Sequence, residues 1–227
     1  MNKTISGKHC TICWHVDYIK IFLMSPKVIE EVLFQLTTKY GKVSQLTVSQ
    51  GCVQDYLGMR LDYGTKGNLR ITIPKHVEGV LEAEAEKRDN VSDTPSANHM
   101  FQVQKDGVKL MPVQADFLQT ILVNILFISC QSKPNLNTAL SFFTIWVRNT
   151  DEGDHKKLAR TIRYIRRKRV MYLTLEVESM YAIWWCINTS YGIHPDLKVH
   201  SSSMMLLGKG AATSKSRNRR INSSRFT

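Results

Sequence analysis

The alternation of apolar and polar residues near the start of the chain predicts a pair of short strands. Residues 9–16 alternate in a strand-like way, and a second apolar run covers Ile19–Leu23. Asp17 and Tyr18 stand between these two runs, where the chain must reverse its direction. The pattern therefore predicts a β-hairpin with these two residues at its turn.

Further along the chain, the pattern predicts mainly helices and then strands again. Pro26 suits the first position of a helix that Gly41 ends, and a hairpin follows with strands near 57–61 and 69–73. The later helices are predicted from Pro74 to about Ala85, in two apolar segments between Pro112 and Val147, and from a cap at Asp154. The later strands are predicted at 171–175, 181–187, 204–207 and 211–214. This succession is typical of an α+β fold, and the polar segment 86–104 is its best linker candidate.

Composition narrows the class of protein. The 227 residues are 43% hydrophobic, which is ordinary for a globular chain. The longest apolar run, Phe117–Cys130, is shorter than the roughly 20 residues that span a bilayer, so it predicts a buried helix and no membrane partner. No secretory signal opens the chain, which predicts an intracellular location, cytoplasmic or nuclear.

The formal charge of +12 predicts an acidic partner. On the third predicted helix of the middle region, one side is apolar and another carries Lys156, Arg160, Arg163 and Arg167. Such a basic stripe is typical of a surface that binds the phosphate backbone of nucleic acid without reading its sequence. A solvated helix face is the alternative interpretation of the same four residues.

The five cysteines favour neither a disulfide framework nor a zinc site. Cys10 and Cys13 are three residues apart in a predicted strand, so their side chains point to opposite faces and cannot bind one ion. The chain offers no second closely spaced cysteine pair that would complete a tetrahedral site.

The first hairpin carries the segment Cys13-Trp14-His15-Val16-Asp17-Tyr18-Ile19-Lys20-Ile21. This segment resembles the metal-binding hairpin of reverse transcriptases, which reads aromatic-Val-Asp-Asp and holds divalent metals with its paired carboxylates. Here Asp17 remains, whereas Tyr18 occupies the position of the second aspartate. A phenol with a pKa of about 10 is neutral near pH 7 and is a poor ligand for a hard cation. The resemblance implies a Mg²⁺ site at Asp17 that has lost its partner carboxylate.

Further blocks follow in an order that resembles a copia-type retrotransposon polyprotein. They are Asp55 to Tyr63, Asp93-Thr94-Pro95, Lys133 to Ala139, where the family tends to write Arg-Pro-Asp-Ile-x-x-Ala, and Lys157 to Ile165. The ordered set carries the resemblance, because no single block is specific. It implies an α+β fold with the C-terminal part of a reverse-transcriptase palm and thumb at 1–95, a helical connection segment at 96–175, and the first strands of a ribonuclease H-like domain at 176–227.

A second altered catalytic position lies in the ribonuclease H-like part. The segment Trp184 to Ser190 resembles the first strand of that domain, with Asn188 where the family places a metal-binding aspartate. Asparagine keeps the shape of aspartate and loses its charge. Because the chain begins shortly before the Asp17 hairpin and ends at Thr227, before the family's Ser-Thr-Glu-Ala-Glu, we expect further carboxylates to be missing.

The resemblance therefore implies a degenerate part of an RNA-directed DNA polymerase and ribonuclease H polyprotein, without catalytic activity and without a small-molecule substrate. One alternative is a basic, non-catalytic nucleic-acid-binding protein that the host has adopted. Another is a polymerase subunit that a second chain completes. His194 and His200 flank Pro195-Asp196, whose turn chemistry explains them without a catalytic role.

Overall fold

The computed structural model describes residues 2–5, 8–23, 25–83, 91–103, 107–147, 150–194 and 198–219. The chain divides into two compact units, a first unit of Met1–Leu57 and a second unit of Gly58–Thr227. The three-part division into 1–95, 96–175 and 176–227 remains a prediction.

In the first unit, three antiparallel strands lie in the order β1-β2-β3 and are followed by a helix and a fourth strand. Their bounds are β1 (Asn2–Ile5), β2 (Lys8–His15), β3 (Tyr18–Leu23), α1 (Pro26–Tyr40) and β4 (Val53–Tyr56). Pro26 occupies the predicted first position of α1, and Gly41 caps the end of the helix. Cys10 is buried whereas Cys13 is exposed, as the strand spacing predicts.

The predicted hairpin forms, with its turn one residue earlier than expected. His15 pairs with Tyr18, so Val16 and Asp17 are the two turn residues. This register places Trp14 opposite Ile19 and Ile12 opposite Ile21, which keeps the apolar residues of both strands on one face. Val16 reaches a positive φ of 48°, which is uncommon for a β-branched residue.

The second unit contains two antiparallel sheets and four α-helices within its described residues. One sheet has the order β10-β7-β6-β5, and the other has the order β11-β9-β8. The strands are β5 (Met59–Asp62), β6 (Asn68–Thr72), β7 (Leu173–Val177), β8 (Trp184–Ser190), β9 (Val199–Leu206), β10 (Gly208–Lys209) and β11 (Ala211–Arg219). The helices are α2 (Pro74–Ala83), α3 (Pro112–Gln131), α4 (Asn137–Trp146) and α5 (Glu152–Arg167).

The core of the second unit lies between its helices. Helix α3 is longer than the predicted run and is long and apolar enough, by length and composition, to cross a bilayer. One side of α3 is nevertheless buried among the other helices, through Leu118, Ile121, Leu122, Ile125 and Ile128. The other side leaves Val113, Phe117, Val123 and Leu126 exposed, so the core accounts for only part of the apolar character of α3.

The described part of the predicted linker, residues 91–103, packs against the core of the second unit. Residues 84–90 and 104 lie outside the described residues. Met100 is buried in that core and Phe101 packs against it. The overall polarity of this segment predicted a linker, although two of its apolar side chains pack against the core.

A buried lysine joins the end of α5 to the junction between α3 and α4. Lys133 is 1% exposed, and its Nζ donates hydrogen bonds to the carbonyl oxygens of Lys168, at 2.6 Å, and Met171, at 3.3 Å. Burial, with a smaller effect of the Lys168 charge, lowers the pKa of Lys133 to about 8. The ammonium group thus donates to the Met171 carbonyl oxygen and shares the Lys168 carbonyl oxygen with the backbone N–H of Met171, just beyond the C-terminus of α5.

The residues that follow Lys133 extend this connection. Asn135 Nδ2 donates to Tyr164 Oη on α5, and Asn137 Nδ2 donates to Ser214 Oγ on β11 at 2.6 Å. Leu136 and Ala139 are fully buried in the core. The block that resembles Arg-Pro-Asp-Ile-x-x-Ala thus makes structural contacts at nearly every position.

We expect Lys133→Ala to destabilise the second unit by roughly 2–4 kcal/mol, because it removes two hydrogen bonds of the buried ammonium group and opens a cavity in the core. Urea unfolding, followed by circular dichroism, measures this change. Lys168→Ala is the matched control, since it removes a neighbouring charge while keeping the Lys168 carbonyl oxygen in place. Equal stability of the two variants would contradict the prediction.

Two buried histidines hold the β11-β9-β8 sheet to helix α4. His194 Nε2 lies 3.0 Å from His200 Nδ1, and His200 Nε2 lies 2.6 Å from Ser216 Oγ and 3.5 Å from Ser141 Oγ. Both rings also pack against Phe101. Burial, and secondarily His194, lowers the pKa of His200. This cluster joins the sheet, helix α4 and the segment 91–103 through direct side-chain contacts.

We expect the second unit to lose stability as the pH falls below about 6.5, the ordinary pKa of histidine. The unfolded chain then binds a proton at His200 that the folded chain resists, so the contribution is complete above that pH and is lost as pH falls through the folded pKa. Urea unfolding between pH 7.5 and 5 should show a shallower pH dependence for His200→Gln than for the unchanged chain. The exposed His155→Gln is the control, and an unchanged pH dependence in His200→Gln would refute the assignment.

Candidate active site and nucleic-acid interface

Asp17 lies exposed at the tip of the hairpin in the first unit. It lines a groove of about 430 Å³ between β3, α1 and the segment 46–54, and Glu30 is the other carboxylate in this lining. Tyr18, at the position where the resemblance implies a second aspartate, packs its ring edge-on against Tyr56 with 6.3 Å between ring centroids. The hairpin thus presents one carboxylate where the resemblance implies two.

The donors around Asp17 do not fit the Mg²⁺ site that the resemblance implies. A hard divalent cation requires several oxygen ligands, and the paired carboxylates of the family supply its charge compensation. Tyr18 cannot replace that charge. Among the residues that the structure describes, no three His, Cys, Asp or Glu side chains group in a way that would hold a metal ion.

Sequence patterns did not indicate a buried cation beside this position. Lys20 on β3 is 8% exposed, and its Nζ donates to Gln54 Oε1 at 2.5 Å. The ammonium also lies 5.4 Å from the ring centroid of Phe22 and 5.6 Å from that of Tyr56. Burial lowers the pKa of Lys20, and Cys13 partly opposes this effect. Since a lysine in an alternating strand is ordinarily solvent-facing, only the packing of β4 beside β3 reveals this environment.

Asn188 lies exposed on β8, at one edge of the β11-β9-β8 sheet in the second unit. It pairs with Ser202 on β9, which pairs in turn with Ser216 on β11. All three side chains in this row are uncharged at neutral pH, so the row lacks the carboxylates with which the family binds metal.

The basic stripe is formed by α5, which begins three residues earlier than the predicted cap implies. Asp151 is the N-cap, and its side chain accepts a hydrogen bond from the backbone N–H of Asp154 at 2.8 Å. Asp154 is therefore the N3 residue of a capping box and not the cap itself, because both carboxylates serve the same helix end. Burial raises the pKa of Asp154, and the charge of Lys157 opposes this increase.

The segment Asp93-Thr94-Pro95 lies against the stripe. Arg167 Nε lies 2.8 Å from Asp93 Oδ1, and Arg160 Nη2 donates to Thr94 Oγ1 at 3.0 Å. Thr161 Oγ1 donates to the carbonyl oxygen of Pro95 at 2.9 Å. Three of the blocks noted in the sequence, at 93–95, 133–139 and 157–165, thus meet around α5.

The four basic side chains of the stripe differ in solvent exposure and in their hydrogen-bond partners. Lys156 is exposed, whereas Arg160 and Arg163 are half-buried, each with an Nε that has no hydrogen-bond partner among the described residues. The Arg167–Asp93 pair is exposed, and such a pair contributes only about 0–1 kcal/mol. Lys156 and Arg167 are therefore the exposed members of the stripe.

A further basic row lies within the acid-free tail from Lys209 to Arg225. Strand β11 extends to Arg219, beyond the predicted end at 214, and exposes Lys215, Arg217 and Arg219 on one face. The alternation of Ser214, Ser216 and Asn218 with these cations is the period-two signal that could have revealed the row.

The chain is distantly similar to a protein encoded by a yeast transposon. The chain is 21% identical over 203 residues to the transposon Ty5-1 protein of Saccharomyces cerevisiae, covering 88% of this chain. It spans 63% of the length of that relative. No protein-family model matches the chain, and no solved structure matches it significantly. The similarity supports an origin in a retrotransposon.

We expect the double variant Arg160→Gln, Arg167→Gln to loosen the segment 91–103 while lowering the free energy of unfolding by only about 1 kcal/mol, since one exposed ion pair and one hydrogen bond are lost. Hydrogen exchange measured by mass spectrometry should show faster exchange in 91–103. Lys156→Gln is the control, because Lys156 is exposed on the same helix. Unchanged exchange in the double variant would show that the two arginines do not hold this segment.

Proposed function

We propose that this chain derives from the polyprotein of a copia-type retrotransposon. It corresponds in this proposal to the C-terminal part of the reverse transcriptase, the connection segment and the start of the ribonuclease H domain. It lacks both the polymerase and the ribonuclease H activity. The observation that carries the proposal is the antiparallel hairpin with Asp17 in its two-residue turn and Tyr18 beside it. The similarity to the Ty5-1 protein over most of the chain supports the same origin. The antiparallel succession β8, β9 and β11 is compatible with the first strands of a ribonuclease H-like domain.

The proposed inactivity follows from the loss of charge at both catalytic positions. Phosphoryl transfer by metal-dependent polymerases and nucleases requires carboxylates that position divalent cations at the reacting phosphate. Tyr18 and Asn188 each offer a neutral oxygen in place of a carboxylate. Asp17 alone would hold Mg²⁺ weakly.

A second candidate function, non-specific nucleic-acid binding, is favoured by the distribution of positive charge. Lys156 and Arg167 on α5 and the row Lys215, Arg217 and Arg219 on β11 are exposed cations in the second unit. Contacts of this kind supply affinity for phosphates without base recognition. A host that retained the chain would therefore obtain a basic nucleic-acid-binding protein acting in the cytoplasm or nucleus.

Purified chain should extend no primer on an RNA or DNA template with Mg²⁺ or Mn²⁺, and should leave the RNA of an RNA–DNA hybrid intact. The reason is the missing carboxylate at each catalytic position. Gel assays of both reactions should give the same background for the unchanged chain and for Asp17→Ala. Template-dependent extension above that control, or metal-dependent cleavage of the hybrid, would overturn the proposed inactivity.

A further inference from the structure

One face of the β11-β9-β8 sheet carries an apolar row and a cationic row on either side of a row of serines. Strand pairing places Ile187, Ser203 and Lys215 side by side, and likewise Thr189, Ser201 and Arg217. Trp185 extends the apolar row at one end, and Arg219 extends the cationic row at the other. We call this surface, which forms a cavity of about 400 Å³, the outer sheet face.

The direction of the three cations is fixed by what lies on the other side of β11. Ser214 accepts a hydrogen bond from Asn137, and Ser216 contacts His200, so the alternate positions of the strand face the helices. Because side chains alternate along a strand, Lys215, Arg217 and Arg219 must point away from those helices. The backbone of β11 therefore determines that these three side chains lie on the same face of the sheet.

The charge of the outer sheet face is entirely positive. Its lining contains Lys215, Arg217 and Arg219 and no carboxylate. Same-face residues repeat about every 7 Å along a strand, and the cationic and apolar rows lie about 10 Å apart, at two strand spacings. The face thus offers a track of evenly spaced cations, serine hydroxyls that can donate or accept hydrogen bonds, and an exposed indole.

We propose that the outer sheet face binds a short stretch of single-stranded nucleic acid, with phosphates along β11 and an unpaired base stacked on Trp185. This inference rests on the nucleic-acid binding proposed above and names the surface and the form of the ligand. Cations alone would serve a duplex equally well, because phosphates are present in both forms. The exposed indole distinguishes the forms, since a base can stack on a side chain only when its own face is free.

The role of stacking is tested with the full chain and a fluorescein-labelled oligothymidylate of about 12 nucleotides. Trp185→Ala should weaken binding roughly tenfold, the typical loss when one aromatic platform is removed. Trp184→Ala is the matched control, because Trp184 is the preceding residue on the same strand, is similarly exposed at 61% against 58%, and points to the opposite face. Trp184→Ala should bind as the unchanged chain does. Trp185→Phe keeps an aromatic ring and should retain most of the affinity, which separates stacking from a general disturbance of β8.

The role of the cationic row is tested by the salt dependence of the same binding between about 50 and 200 mM NaCl. Replacing Lys215, Arg217 and Arg219 with Gln should reduce the log-log slope by about 2, since each phosphate of a single strand contributes about 0.7. Replacing Lys27, Lys39 and Lys42 with Gln removes the same charge from exposed positions in the first unit and should leave the slope unchanged.

The possible results separate this inference from the function on which it rests. If the unchanged chain binds neither the oligothymidylate nor a duplex, the proposed nucleic-acid binding fails and this inference fails with it. If the unchanged chain binds but Trp185→Ala behaves as Trp184→Ala does, and the two triple variants have equal slopes, only the assignment to the outer sheet face is overturned. Tighter binding of a duplex than of the single strand would also overturn it.

Discussion

The buried ammonium group of Lys133 connects the end of α5 to the junction between α3 and α4 in the second unit. Lys133 carries its ammonium into the core and gives its hydrogen bonds to the carbonyl oxygens of Lys168 and Met171, where the helix has ended and β7 has not yet begun. A buried charge is costly unless its donors are satisfied, so the end of α5 and the start of α4 must stay in one relative position. Asn135 and Asn137 extend that constraint to Tyr164 on α5 and Ser214 on β11. The helical core and the β11-β9-β8 sheet are thereby held by consecutive residues of one short segment.

This arrangement explains how structural and catalytic residues can be altered independently. Around α5, the buried side chains of Thr161 and Lys133 donate to the carbonyl oxygens of Pro95 and Lys168, contacts that no catalytic step requires. The candidate positions Asp17, Tyr18 and Asn188, in contrast, are exposed, so a substitution there disturbs no buried contact. Exposed substitutions usually change stability by less than about 0.5 kcal/mol, whereas the loss of a buried partner costs several times more. A chain released from selection for catalysis would therefore lose its exposed carboxylates before its fold.

The placement of positive charge follows from the same packing. On α5, the segment 93–95 approaches the arginines and reduces their availability, while leaving Lys156 exposed. On β11, the inward-facing Ser214 and Ser216 are held by Asn137 and His200, which leaves the alternate cations exposed. Two arginines of α5 are thus engaged by the segment 93–95, whereas the cations of β11 line an open face.

The sequence by itself determined the local elements and the residue types at the candidate positions. Period-two alternation predicted the hairpin around Asp17, and helical periodicity predicted α1 and α5. Tyr18 and Asn188 were identified at positions where the resemblance implies aspartates, because each motif depends on a few neighbouring residues. The tertiary structure decided what long-range packing controls: the turn at Val16, the attachment of 91–103 to the core, the buried environments of Lys20 and Lys133, and the outward direction of the β11 cations. Lysine and arginine are ordinarily solvent-exposed, so local pattern assigns them to the surface. Only contacts between residues far apart in the chain, such as Lys20 with Gln54 and Lys133 with Lys168, reveal where that assignment fails.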